Sequence, residues 1–144
     1  MAFKTILIAV DGSPGAQSAT RIGGEMTQGR DAQVLLVHAA PLPPLVPGQP
    51  LSQESLANME EMADAAFSAA EEILTDLKVK AERVVLAGAP ADVILSVAED
   101  RSADVIVVGH RGFGAMKRFV LGSVSSKLAH QARCALLLAP VPED

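Results

Sequence analysis

Tryptophan and tyrosine are absent from the sequence, and its only Phe, Tyr or Trp side chains are four phenylalanines. The flat platforms on which single-stranded nucleic acid bases stack are therefore missing. A formal net charge of -5 also opposes binding to a phosphate backbone, which needs a basic surface. Both features point away from nucleic acid, so any phosphate must be held by a shaped local site. Cysteine occurs once, at Cys134, which rules out an internal disulfide. No run approaches the roughly 18 to 20 apolar residues that cross a bilayer, and the N-terminal run ends at Asp11, too soon for a secretory leader. No membrane partner and a reducing, cytoplasmic compartment are the expectations from these absences. Arg133 beside Cys134 could lower the thiol pKa; the competing role is a packed cysteine at a strand start.

What is present is aliphatic. Hydrophobic residues make up 49% of the 144 residues and charged residues 20%, enough apolar material for one core and one domain over residues 1–144. Short runs rich in Val, Ile and Leu recur at Thr5–Val10, Gln33–Ala39, Arg83–Ala87, Asp104–Val108 and Ala135–Ala139, separated by amphipathic segments. Nearly continuous apolar strands alternating with helices read as a parallel sheet covered on both faces. Ser13 is placed to cap a first helix with Pro14 at its first position. A second helix spans about Ser52 to Leu77, with Leu56, Met59, Ala63, Ala66, Ala70, Ile73 and Leu77 on one stripe. A third runs from about Ala91 to Asp100 and a fourth from about Ser123 to Ala132. Residues 41–51 hold five prolines, which forbid regular structure and make this a loop, either an inert connector or a flap over a ligand or partner.

In open α/β sheets, ligands gather beyond the carboxyl ends of the strands, where helix N-termini present unpaired N–H groups. The segments to inspect are Ala9-Val10-Asp11-Gly12-Ser13, Val37-His38, and Val108-Gly109-His110-Arg111-Gly112. The third belongs to a pattern G-x2-G-x9-G-S formed by Gly109, Gly112, Gly122 and Ser123. Glycines let backbone N–H groups approach phosphate oxygens, and Ser123 and Ser125 add hydroxyl donors; alternatively the glycines serve turn geometry alone. Two familiar phosphate loops are excluded. Ala115-Met116 stands where a Walker A loop needs Lys-Ser/Thr, and Lys117 stands at the third glycine of a dinucleotide fingerprint. His38, His110 and His130 have neither metal-site spacing nor a visible nucleophile partner, so no catalytic residue and no metal site are expected.

Ile8-Ala9-Val10-Asp11-Gly12-Ser13, Gly88-Ala89-Pro90, Val107-Val108-Gly109-His110-Arg111-Gly112 and Leu121-Gly122-Ser123-Val124-Ser125 together resemble the universal stress protein family over essentially the whole chain. The glycine pattern is similar to the motif of that family's ATP-binding branch. The resemblance implies an open, Rossmann-like sheet of five parallel strands in the order 3-2-1-4-5, helices on both faces, and a homodimer joined through residues 135–139. By position, Asp11 matches the carboxylate that meets the ribose, and Ala9, Val37 and Val108 match the adenine slot, with Val10 between them and Asp11. Gly109, Arg111, Gly112, Gly122, Ser123, Val124 and Ser125 match the segment around ribose and phosphates. The implied ligand is ATP, with Mg2+ held through the phosphates.

Three functions compete. The first is a regulatory module of the stress response whose ATP occupancy alters stability, dimer geometry or partner choice, compatible with slow ATP hydrolysis. The second is an ATP-using enzyme of the related nucleotide α-hydrolase class, which an S-G-G-x-D-S loop would support; Asp11-Gly12-Ser13-Pro14-Gly15 stands there instead. The third is an interaction protein with a vestigial pocket.

Overall fold

A computed structural model describes residues 3–43, 45–110 and 121–140. Nine elements follow one another: β1 (Thr5–Ala9), α1 (Pro14–Thr27), β2 (Gln33–Ala40), α2 (Gln53–Asp76), β3 (Glu82–Ala87), α3 (Pro90–Asp100), β4 (Val105–Gly109), α4 (Ser123–Gln131) and β5 (Ala135–Ala139). The strands form one parallel sheet in the order β3-β2-β1-β4-β5, as the family resemblance implies.

The apolar runs explain the layering. Ile6, Leu7 and Ile8 of β1 are all buried, as are Leu35 and Leu36 of β2 and Ile106 and Val107 of β4. Successive residues face opposite sides, so each central strand feeds two cores. Ile6, Ile8, Val34 and Leu36 meet Ala19, Phe67 and Leu74 on the side of α1 and α2. Leu7, Leu35, Val37 and Ile106 meet Ile94, Val97 and Leu128 on the side of α3 and α4. The chain winds from β1 toward β3, then returns to the other side of β1 for β4 and β5. That reversal leaves a crevice between the carboxyl ends of β1 and β4.

Helix starts are set chemically. Ser13 caps α1, its Oγ accepting from Ala16 N–H at 3.2 Å with Pro14 at the first helical position. Ser52 caps α2 in the same way, accepting from Ser55 N–H at 3.0 Å. At the opposite end of the sheet, Asp104 Oδ2 accepts from Lys4 N–H at 2.8 Å and Thr5 N–H at 2.9 Å, tying the starts of β1 and β4 together.

Two expectations need correcting. The apolar stripe of α2 consists of Ala63, Ala66, Phe67, Ala70 and Leu74; Leu56 is exposed, while Ile73 and Leu77 are only half-buried. The first turns of α2 face an open groove beside the sheet edge, so apolar spacing there is left partly uncovered. Nor is β3 covered on both faces: as an edge strand it is exposed at five of its six residues. Strand ends differ from the sequence reading by a residue. β1 stops at Ala9, and β4 runs Val105–Gly109.

Candidate functional site

The crevice is assembled from three chain segments. Ala9 stands beside Val37 in the β1–β2 register, and Ile8 beside Val107 in the β1–β4 register. The next row therefore sets Val37, Ala9 and Val108 abreast. All three belong to the core on the α3 and α4 side, with Val37 and Val108 buried and Ala9 half-buried. A short aliphatic floor thus crosses the three middle strands at the end of β1. Val10 faces the opposite core, and its N–H donates to the Val37 carbonyl at 2.9 Å.

Just past β1, Asp11 is exposed, and its Oδ1 accepts from Ser13 N–H at 2.8 Å. Gly12 between them takes φ +84, a left-handed conformation with open space where a Cβ would stand, which an L side chain adopts only with strain. The turn fixes one carboxylate oxygen, Oδ1, at the exposed end of β1.

Gly109 ends β4 against the first turn of α1. A Cβ there would lie 2.7 Å from the Gly15 carbonyl carbon and 2.9 Å from its Cα and oxygen, contacts that backbone atoms cannot relieve without shifting. Gly15, which the sequence reading did not single out, is the other half of this contact. Beyond Gly109, His110 N–H donates to the Ala139 carbonyl at 2.7 Å, while its own carbonyl accepts from Gly122 N–H at 3.1 Å and from Ser125 Oγ at 2.7 Å. The flanks of the 111–120 segment are thereby held together. Arg111, Gly112, Lys117 and Arg118 lie outside the described residues.

Ser125 is buried, and its single hydroxyl proton is committed within the chain. Of the two hydroxyls expected to face a phosphate, Ser125 is thus turned to His110, while Ser123 is exposed. Gly122 occupies the N-cap of α4 without a side-chain cap bond. The first backbone bond of the helix runs from Ser126 N–H to the Gly122 carbonyl, so the N–H groups of Ser123, Val124 and Ser125 have no partner inside the helix. Together they give this end partial positive charge.

His38 is a neighbour rather than a member of the floor. It is buried, its Nδ1–H donates to the Val10 carbonyl at 3.0 Å, and its ring meets Phe67 edge-on. It steadies the chain just before Asp11. His130 Nδ1 contacts the Ser126 carbonyl at 2.8 Å within α4. Cys134 lies across the sheet at the start of β5, where burial pushes its thiol pKa up; Arg133 turns away, nine-tenths exposed, toward Glu99. The packed role therefore holds.

A doubly wound parallel sheet in the order β3-β2-β1-β4-β5 with helices on both faces defines a class: α/β domains of Rossmann-like architecture. More narrowly, the chain belongs to the universal stress protein family, whose sequence profile matches residues 2–140. It is 38% identical over 136 residues to a Thermus aquaticus protein named universal stress protein in QAH/OAS sulfhydrylase 3′ region, covering 94% of this chain and 98% of that one. The fold matches a universal stress protein solved in complex with cAMP at TM-score 0.76 and 21% identity, covering 99% of this chain and 100% of that one. It also matches the Archaeoglobus fulgidus universal stress protein in complex with dAMP at TM-score 0.70 and 26% identity, covering 96% of this chain and 99% of that one. Among the described residues, no helix is long and apolar enough to cross a membrane.

Proposed function

We propose that this chain is an adenine-nucleotide-binding regulatory module of the stress response, with ATP as its ligand, working as a homodimer. The observation that carries the reading is the convergence at one crevice of the aliphatic floor of Val37, Ala9 and Val108, the exposed carboxylate of Asp11, and the N-terminus of α4. An aliphatic floor suits a purine face, and a carboxylate accepts ribose hydroxyl protons. Unpaired N–H groups with an exposed Ser123 suit phosphate oxygens. The dAMP complex of the Archaeoglobus fulgidus relative supports an adenine nucleotide in particular. Mg2+ is proposed to come with the nucleotide, held through its phosphates. Slow hydrolysis is compatible with this reading.

Titration with ATP, ADP, AMP and cyclic AMP, read by calorimetry and thermal shift, tests it. Ligand at about 100 times its dissociation constant should raise stability by about 2.7 kcal/mol. Gly122→Glu puts bulk and negative charge at the helix N-terminus and should abolish binding while the fold survives. Asp11→Ala should weaken ATP binding but leave inorganic triphosphate unaffected or bound slightly better, since a repelling carboxylate is gone. 2′-deoxy-ATP measures the share of the 2′-hydroxyl and should bind less tightly than ATP. Equal responses to ATP and triphosphate would sink the ribose role of Asp11.

A specific observation favours a second reading. Gly109 is required by its contact with Gly15, and Ser125 is spent on His110, so part of the motif also serves shape alone. An interaction protein with a vestigial pocket would release no nucleotide on denaturation, and the purified protein can be assayed directly for that.

A further inference from the structure

β3 is the least covered element of the sheet. Among the described residues it pairs only with β2, while α2 packs over β2 and α1. Val85 and Leu86 are consecutive and so face opposite sides of the sheet, yet they are 48% and 46% exposed. On the α2 side, Val85 and Ala87 form one wall of an open groove of about 760 Å³ whose other wall includes Leu56, Met59 and Phe67. The backbone edge is open as well. Gly88 N–H donates to the Ala40 carbonyl at 3.0 Å, and in a parallel ladder alternate residues turn both backbone groups to the same neighbour. Val84 and Leu86 therefore serve β2, and Arg83, Val85 and Ala87 direct theirs outward.

Proteins usually blunt such an edge with charge, proline or a bulge. Here Glu82 and Arg83 guard only the first end of the strand, and both are engaged: Glu82 by Arg101, Arg83 by Asp64 and Glu71. Val84 to Ala87 have no such guard.

We propose that β3 is a docking edge for an extended segment of a partner protein in which aliphatic and basic residues alternate. Such a segment adds a strand to the sheet through the outward groups of Arg83, Val85 and Ala87. Alternation then sets its basic side chains on the groove face, their stems over Val85 and their charges toward Glu60, Glu61 and Asp64, and its aliphatic side chains over Leu86 on the other. A helix lying in the groove would cover Val85 and leave Leu86 and the backbone edge in water. Charge selects the basic partner: Glu60, Glu61 and Asp64 line the groove, and its guanidinium, Arg83, is already neutralised. A second copy paired strand to strand about a two-fold axis would bring two acidic rims to the same face, where like charges repel.

The test uses a labelled, end-capped heptapeptide alternating lysine and valine, with a glutamate–valine counterpart and an amphipathic lysine–leucine helix as comparators. It is run without nucleotide, so its outcome is independent of the ATP reading. The lysine–valine peptide should bind roughly tenfold or more tightly than its acidic counterpart, more weakly as salt rises, and the Val85 and Ala87 amides should gain protection from hydrogen exchange. Val85→Lys, at an exposed position, should remove binding without lowering Tm, and the double change Glu60→Lys, Glu61→Lys should weaken it about tenfold. Equal affinity for both extended peptides, no binding, or tighter binding of the helix without amide protection would each overturn the proposal. So would self-association of the protein that Val85→Lys abolishes, because the edge would then belong to a second copy.

Discussion

At the scale of single residues, Gly12 and Gly109 sit at the same crevice for unrelated reasons. Gly12 needs its φ of +84 and has empty space around it, whereas Gly109 has no space at all, with Gly15 backbone where its Cβ would go. Gly109→Ala is therefore an overpacking change against backbone, expected to destabilise by roughly 1 to 3 kcal/mol and to widen the contact that fixes α1 against β4. A thermal melt checks this, and a Tm unchanged from wild type would show that the contact is soft. The two glycines also mark what the sequence could say about the site. Asp11, Gly109, Gly122 and Ser123 stood out by type and spacing, and the fold brings them to one end of the sheet. The Gly15 contact and the commitment of Ser125 to His110 were not legible, because both depend on distances between segments far apart in the chain. Ser125 was indistinguishable from Ser123 in sequence; only the turn of the helix separates the buried hydroxyl from the exposed one.

Among the elements, the central strands were legible because burial on both faces leaves a continuous aliphatic run, and their limits are right to about a residue. Edge strands carry the same residue types without the burial, which is why β3 read as a covered strand and is not one. Strand order is not written in composition and came from family resemblance alone. The clasp at the far end of the sheet offers a test by pH. Asp104 accepts the Thr5 and Lys4 backbone N–H groups, which hold its carboxyl below its ordinary pKa of about 3.8. A carboxylate whose pKa is lowered on folding contributes stability above that ordinary value and loses it as pH falls through the folded one. Wild type should therefore melt above Asp104→Asn at neutral pH, and the gap should close below about pH 4 as the native carboxyl takes up its proton and comes to match the amide. A gap that persists unchanged into acid would mean that the charge contributes nothing and shape alone ties β1 to β4.

For the whole molecule, the sheet ends in two edge strands, β3 and β5, and their chemistry differs. β3 is bordered by carboxylates, whereas β5 presents Leu136, Leu137 and Leu138, each half-buried, beside Ala135. An aliphatic edge of this kind invites pairing with another strand, and a two-fold axis supplies an identical one. The homodimer we propose uses β5 for this reason. The same strand reaches the candidate site, since the Ala139 carbonyl accepts from His110 N–H at 2.7 Å and His110 in turn holds Gly122 and Ser125. The proposed interface at β5 and the proposed site at α4 thus share a hydrogen-bonded chain, and any effect of ATP on dimer affinity would be returned in equal measure by the dimer on ATP affinity. Light scattering of wild type at micromolar concentration should give the dimer mass. Leu137→Lys should give the monomer and, through the shared chain, a different ATP affinity, while Val85→Lys at the other edge should leave both untouched. A monomeric wild type, or a Leu137→Lys variant that keeps the dimer mass and its Tm, would remove β5 as the interface; a monomeric Leu137→Lys variant with unchanged ATP affinity would keep the interface and uncouple it from the crevice.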